Sequence, residues 1–126
     1  MRLEALFVAS RTLAVYGTLA PGRPNHHVVA PLGGAWTSGF IVGDLSDDGW
    51  GKTPGYPAFR PRAGGPLIAA HVLVSDALPR AWSELDAFEG PEYRRILTPV
   101  FAVGGADERT LTTVANVYAV AATLPG

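Results

Sequence analysis

The chain has 126 residues, a formal net charge of −1, 48% apolar and 17% charged residues, and no cysteine. It is long enough for one domain with a core that needs no covalent staples, and too apolar for disorder. Without cysteine there are no disulfides or thiolate chemistry, which fits a cytoplasmic protein, and without a basic block a nucleic-acid backbone is not an expected partner.

Residues 1–10 hold a short apolar patch interrupted by Glu4, so no export signal is expected. No run approaches the ~18 apolar residues of a membrane helix. Leu13, Ala14, Val15 and Tyr16 form a short apolar strand that stops at Gly17. Residues 17–24 hold two glycines and two prolines and read as a loop. Asn25 looks like the N-cap of a short helix over 26–30, which Pro31 ends. Residues 36–45 are β-type, and Gly39 and Gly43 within them suggest a bent strand. Residues 47–55 are polar and glycine-rich, a long loop. Tyr56, Pro57, Ala58 and Phe59 suit a brief edge strand, since Pro57 has no N–H for a ladder.

Residues 67–74 are an apolar run of strand length. Residues 78–89 form the clearest helix, with Pro79 in its first turn and Gly90 just past its end. Two long β-rich segments, 93–103 and 110–121, are joined by Gly104, Gly105 and Asp107, a hairpin connection. The sum is about six strands, one main helix and one short helix, with no βαβ alternation. The expected fold is α+β, a small, mostly antiparallel β-barrel or curled sheet, as a single domain over residues 1–126.

The helix carries a chemical anomaly. Its residues advance by about 100° each, so with Leu78 at zero Trp82 lies near about 40°, Leu85 near about −20° and Glu89 near about 20°. Phe88 and Ala81 extend the same apolar stripe. Asp86 and Glu84 sit at its borders, so only Glu89 points inward. Burial disfavours its anion, and so does the partial negative charge at the helix C-terminus. Both raise its pKa toward neutrality, where a general base works best. Two structural alternatives stand beside this: a frayed last turn that leaves Glu89 in solvent, and an ion pair to Arg94 or Arg95.

The turn of Tyr16, Gly17, Thr18 and Leu19 joins a buried strand to a loop. Glycine there permits φ > 0 and close approach of a ligand, and successive N–H groups can cradle a carboxylate. No phosphate-loop or dinucleotide fingerprint is present. His26, His27 and His71 come without cysteine or an HExxH pattern, so no metal site is expected. The serines lack a G-x-S-x-G context. Trp36, Trp50 and Trp82 read as core or pocket wall. Tyr118 reads as core with a satisfied hydroxyl, or as a hydroxyl directed into a pocket.

In order along the chain stand Val15-Tyr16-Gly17-Thr18-Leu19, Gly22-Arg23-Pro24-Asn25-His26, Gly55-Tyr56-Pro57-Ala58, Leu85-Asp86-Ala87-Phe88-Glu89-Gly90 with Tyr93-Arg94-Arg95, and Ala115-Asn116-Val117-Tyr118. This series resembles the γ-glutamylcyclotransferase-like, or AIG2-like, family. It looks closest to the branch that includes γ-glutamylamine cyclotransferase. The resemblance spans about residues 13–118. The strand before the first motif departs slightly, with Ala14 where the family often has phenylalanine.

The resemblance implies a small β-barrel with flanking helices and one pocket. It implies an enzyme of lyase type that releases 5-oxoproline from a γ-glutamyl amide or amine, with no metal or cofactor. Tyr16, Gly17, Thr18 and Leu19 would hold the α-amino-acid end of the substrate, and Glu89 would be the acid/base. The helix pattern and the resemblance select Glu89 separately. The expected partner is a small-molecule γ-glutamyl substrate, with no nucleic acid and no membrane; oligomeric state is not legible. A binding module on the same scaffold, holding an amino-acid-like ligand without turnover, is the alternative.

Overall fold

The computed structural model describes residues 9–17, 19–46, 58–91, 93–104 and 108–120. Outside these lie Thr18, the expected loop 47–55 with Trp50, Tyr56, Pro57, Gly105 and Asp107. The strands are β1 (Thr12–Val15), β2 (Ala35–Ser46), β3 (Ala58–Pro61), β4 (Leu67–Val74), β5 (Tyr93–Val103) and β6 (Arg109–Val120), and helix α1 spans Leu78–Glu89.

The strand order is β3-β2-β4-β1-β6-β5, and β2 also pairs with β5. That extra contact, at Phe40 opposite Phe101, closes β2, β4, β1, β6 and β5 into a barrel, with β3 added beside β2. Every pairing is antiparallel except β1 with β6, which is parallel at Leu13 and Asn116. The expected hairpin is β5–β6, running from Tyr93 opposite Val120 to Val103 opposite Arg109. Its register slips between Val100 and Phe101, and the extra residue, Thr112, donates its hydroxyl to the Val100 carbonyl at 3.0 Å. Such a bulge sharpens local twist and helps a strand pair curl.

The two glycines of β2 permit close strand approach. A Cβ on Gly39 would lie 2.6 Å from Val100 Cγ1, beside the closing contact with β5. A Cβ on Gly43 would lie 2.3 Å from the Arg60 carbonyl oxygen of β3. Bare backbone is what lets one strand bend between two partners.

The barrel interior is filled by Ala14, Ile41, Phe59, Ile68, Val72, Val100, Ala115 and Val117, drawn from all six strands. A second cluster joins Leu78, Trp82 and Leu85 of α1 to Leu13 and Val15 of β1, Leu73 of β4 and Tyr118 of β6. Strand β1 therefore serves both layers, with Ala14 facing the barrel and its neighbours facing the helix. This is why it reads as a continuous apolar run and not as an alternation. Each fully buried Leu, Ile or Phe contributes about 1.5–3 kcal/mol of transfer free energy.

The short helix expected over 26–30 is instead two 3₁₀ turns, His26–Val28 and Ala30–Leu32. Asn25 makes no side-chain cap, and Pro31 lies inside the second turn without ending the first. Proline's ring would clash with the carbonyl four residues back in an α-helix, and the tighter three-residue bonds avoid this. Those bonds run from Val29 N–H to His26 O and from Leu32 N–H to Val29 O, each 3.0 Å. Of the brief strand expected over 56–59, residues 56 and 57 lie outside the described residues, and β3 runs on past Phe59 to Pro61. Among the described residues, no helix is long and apolar enough to cross a membrane.

Candidate active site at the end of the helix

Helix α1 has Pro79 at its first turn and ends at Gly90, whose φ of 83° and N–H bond to the Asp86 carbonyl at 3.1 Å terminate it. Leu78, Trp82 and Leu85 are buried along one stripe, as the periodicity predicts. Phe88, at the stripe's edge, is 45% exposed, so the buried face is narrower than expected. Glu89 stays on that face and is only partly accessible. Burial pushes its carboxyl up to about 7.

Arg95 does not pair with Glu89. Its Nε and Nη2 donate to the two carboxylate oxygens of Asp86, at 2.9 and 3.4 Å. Its Nη1 donates to Asn116 Oδ1 at 3.1 Å, and its guanidinium lies 4.4 Å from the centre of the Trp82 ring. Asp86 also accepts the Tyr118 hydroxyl proton at 2.6 Å. Partial burial alone would raise the Asp86 carboxyl, but the bonds from Arg95 and Tyr118 outweigh it and hold the group below its ordinary value. Two carboxylates one helical turn apart are thus driven in opposite directions.

Tyr16 follows β1 and turns its ring toward the barrel interior, 5.7 Å from the ring of Phe59. Its hydroxyl donates to the Tyr118 carbonyl at 2.6 Å and accepts the Phe59 N–H at 3.1 Å. Burial raises the Tyr16 phenol well above its usual value, and the nearby charge of Glu89 adds to this. Burial likewise raises Tyr118, followed by the bond to Asp86, with Glu89 again contributing. Glu89 therefore lies within electrostatic reach of the residue that opens the glycine turn.

In that turn the Ala20 N–H donates to the Gly17 carbonyl at 3.1 Å. The left-handed glycines among the described residues are Gly22, Gly33, Gly34, Gly64 and Gly90. Gly17, which could have taken φ > 0, is not one of them. Leu19 is buried and its carbonyl accepts a bond from His26 Nδ1 at 2.9 Å. A carbonyl only accepts, so Nδ1 carries the proton. The His26 ring sits 5.4 Å from that of Trp36, which packs the 3₁₀ segment against β2.

The structure thus brings Glu89 and Tyr16 to one corner, with Gly17 and Leu19 following Tyr16. Two surface cavities elsewhere, of about 440 and 360 Å³, are not lined by any of these residues. Tyr118 is buried with its hydroxyl satisfied, the first of its two expected readings; the identity of its partner, Asp86 at the helix border, is what sequence reasoning missed. What the corner can do chemically is accept and return a proton near neutral pH.

A family model described as "Gamma-glutamyl cyclotransferase, AIG2-like" matches residues 13–125. Among solved structures, the chain is similar to an AIG2-like protein from Mus musculus, with a TM-score of 0.63 and 23% identity over 91% of this chain and 80% of that one. It is also similar to an uncharacterized protein from Pyrococcus horikoshii, with a TM-score of 0.56 and 17% identity over 91% and 81%. At these identities the likeness speaks for the fold. No curated protein sequence matches the chain.

Proposed function

The chain belongs to the gamma-glutamyl cyclotransferase, AIG2-like family, and we propose that it releases 5-oxoproline from a γ-glutamyl amide or γ-glutamyl amine, with Glu89 as the general acid/base. The observation that supports this reading best is the partly buried Glu89 carboxyl, raised to about 7, in the corner that Tyr16 shares.

The substrate's own α-amine attacks its γ-carbonyl carbon. A five-membered lactam forms as the bond to the leaving nitrogen breaks. From ammonium to lactam N–H the α-nitrogen gives up two protons. The leaving nitrogen gains two as it departs as an ammonium, and Glu89 carries protons from one to the other. Both reacting groups belong to one molecule, so holding the ring-closing pose supplies much of the rate gain. In this reading the turn at Tyr16, Gly17, Thr18 and Leu19 holds the α-carboxylate through main-chain N–H groups. The rigidity of Tyr16, anchored to both Tyr118 and Phe59, supports that role. Catalysis asks of the protein an oriented substrate and a base whose pKa suits neutral pH.

The test is a mass-spectrometric screen of γ-glutamyl amides, peptides and side-chain isopeptides for 5-oxoproline, with Glu89→Gln run beside the parent. The Gln variant is expected to fold and to lose turnover by about 10²–10⁴-fold. Near-parental turnover in that variant would remove Glu89 from the mechanism. Thermal stabilisation by a γ-glutamyl compound with no product formed would point to a binding module instead.

A further inference from the structure

Asp86 and Glu89 are three residues apart on α1, so their side chains emerge as neighbours on the helix surface. Among the described residues, the groups around this corner that can carry or lose charge are Tyr16 just after β1, Tyr93 and Arg95 of β5, Tyr118 of β6, and His26 beyond Leu19; Arg94, also on β5, is exposed. Of these, Arg95 is the cation beside the helix end, and Tyr118 is a hydroxyl donor that feels the charge of Glu89. Both are bound to Asp86. The grip is a pair of bonds from Arg95 and a short one of 2.6 Å from Tyr118. Arg95 is further held by Asn116 and by the face of Trp82.

We propose that Asp86 is a positioning residue for the reaction proposed above: it occupies Arg95 and the Tyr118 hydroxyl, and so keeps both from pairing with Glu89. A guanidinium beside a carboxylate favours its anion and makes it a poorer proton acceptor. Asp86 is the chemical equal of Glu89 for capturing a guanidinium, but it sits at the rim of the helix, where its charge is partly solvated. The helix thus spends one carboxylate on holding the cation and leaves the next one free to titrate.

The test follows the titration of Glu89 itself, by carbon-13 NMR of its side-chain carboxyl, with Glu89→Gln to assign the resonance. Asp86→Asn frees Arg95, and the Glu89 midpoint is expected to fall by about one unit or more. Arg95→Met leaves Asp86 as an unpaired like charge one turn away, and the midpoint is expected to rise. The double variant lacks both charges and is expected to return close to the parent.

If the network merely holds the helix end in place, all three variants expose Glu89 and all three midpoints fall together, which overturns the proposal. Unmoved midpoints overturn it as well. Should Asp86→Asn fail to fold, the upward shift in Arg95→Met carries the test. Loss or retention of turnover in Glu89→Gln reports on the base alone, so the base assignment and the positioning role can fail separately.

Discussion

The barrel interior and the seam beneath the helix share strands β1 and β6 but treat polarity in opposite ways. Inside, Phe59, Ile41, Val100 and Val117 pack with almost no exposure, and the hydroxyl of Tyr16 is satisfied by main-chain groups of Tyr118 and Phe59. Under the helix, Asp86, Arg95, Asn116 and Tyr118 form a connected network, and Glu89 titrates beside it. The interior derives its stability from shape, which is indifferent to pH. The seam holds charge in a partly dry place, so its energetics move with protons. A small barrel can thus keep a rigid frame and a responsive edge in the same few strands.

The largest expected effect tests the frame. Phe59→Ala removes the largest fully buried side chain among the described residues and is expected to cost about 3–5 kcal/mol in denaturant unfolding. The cost should be the same at pH 5 and pH 8. A strong pH dependence would show that frame and edge are not separable.

The next tests the edge. Folding favours protonated Glu89, whose carboxyl moves from an ordinary value of 4.5 to about 7. Its contribution is therefore most favourable below pH 4.5 and declines as pH rises toward 7, then stays at a constant deficit. Glu89→Gln should remove that slope and stabilise the protein above pH 7 by about 1–3 kcal/mol. A variant no more stable than the parent at pH 8 would mean that the carboxylate is better solvated than its burial implies.

The smallest concerns the rim. Arg62 grips Asp44 at 2.7 and 2.8 Å, yet both side chains are open to water. Solvent and salt screen such a pair. Arg62→Ala is expected to leave the thermal midpoint unchanged within error, in contrast to any charge removed from the seam.

Much of the frame was legible locally. The spacing of Leu78, Trp82 and Leu85 marks α1, and the apolar run from Leu67 and the hairpin glycine Gly104 mark strands that appear where expected. Glu89 was legible because a carboxylate on an apolar stripe contradicts its surroundings. The network was not, because its bonds join residues 9 to 107 positions apart, such as Arg95 with Asp86 and Asn116 with the Ala9 carbonyl. No helical or strand period reports contacts of that range. The 3₁₀ pair was misread as one helix because Asn25 and Pro31 are helix-boundary residues in type, while the segment between them is too short for α-helical bonds to outcompete tighter ones.

The parallel contact between β1 and β6 has a consequence for biogenesis. A ribosome delivers β1 early and β6 late, so for most of synthesis the first strand lacks a neighbour on one side. During that interval Tyr16 has no Tyr118 carbonyl to anchor it and Asp86 has no phenol to bind. The corner comes into being only with the final closure of the cylinder, and under the function proposed above a nascent chain stalled short of β6 would carry every earlier residue of the site and still be inert.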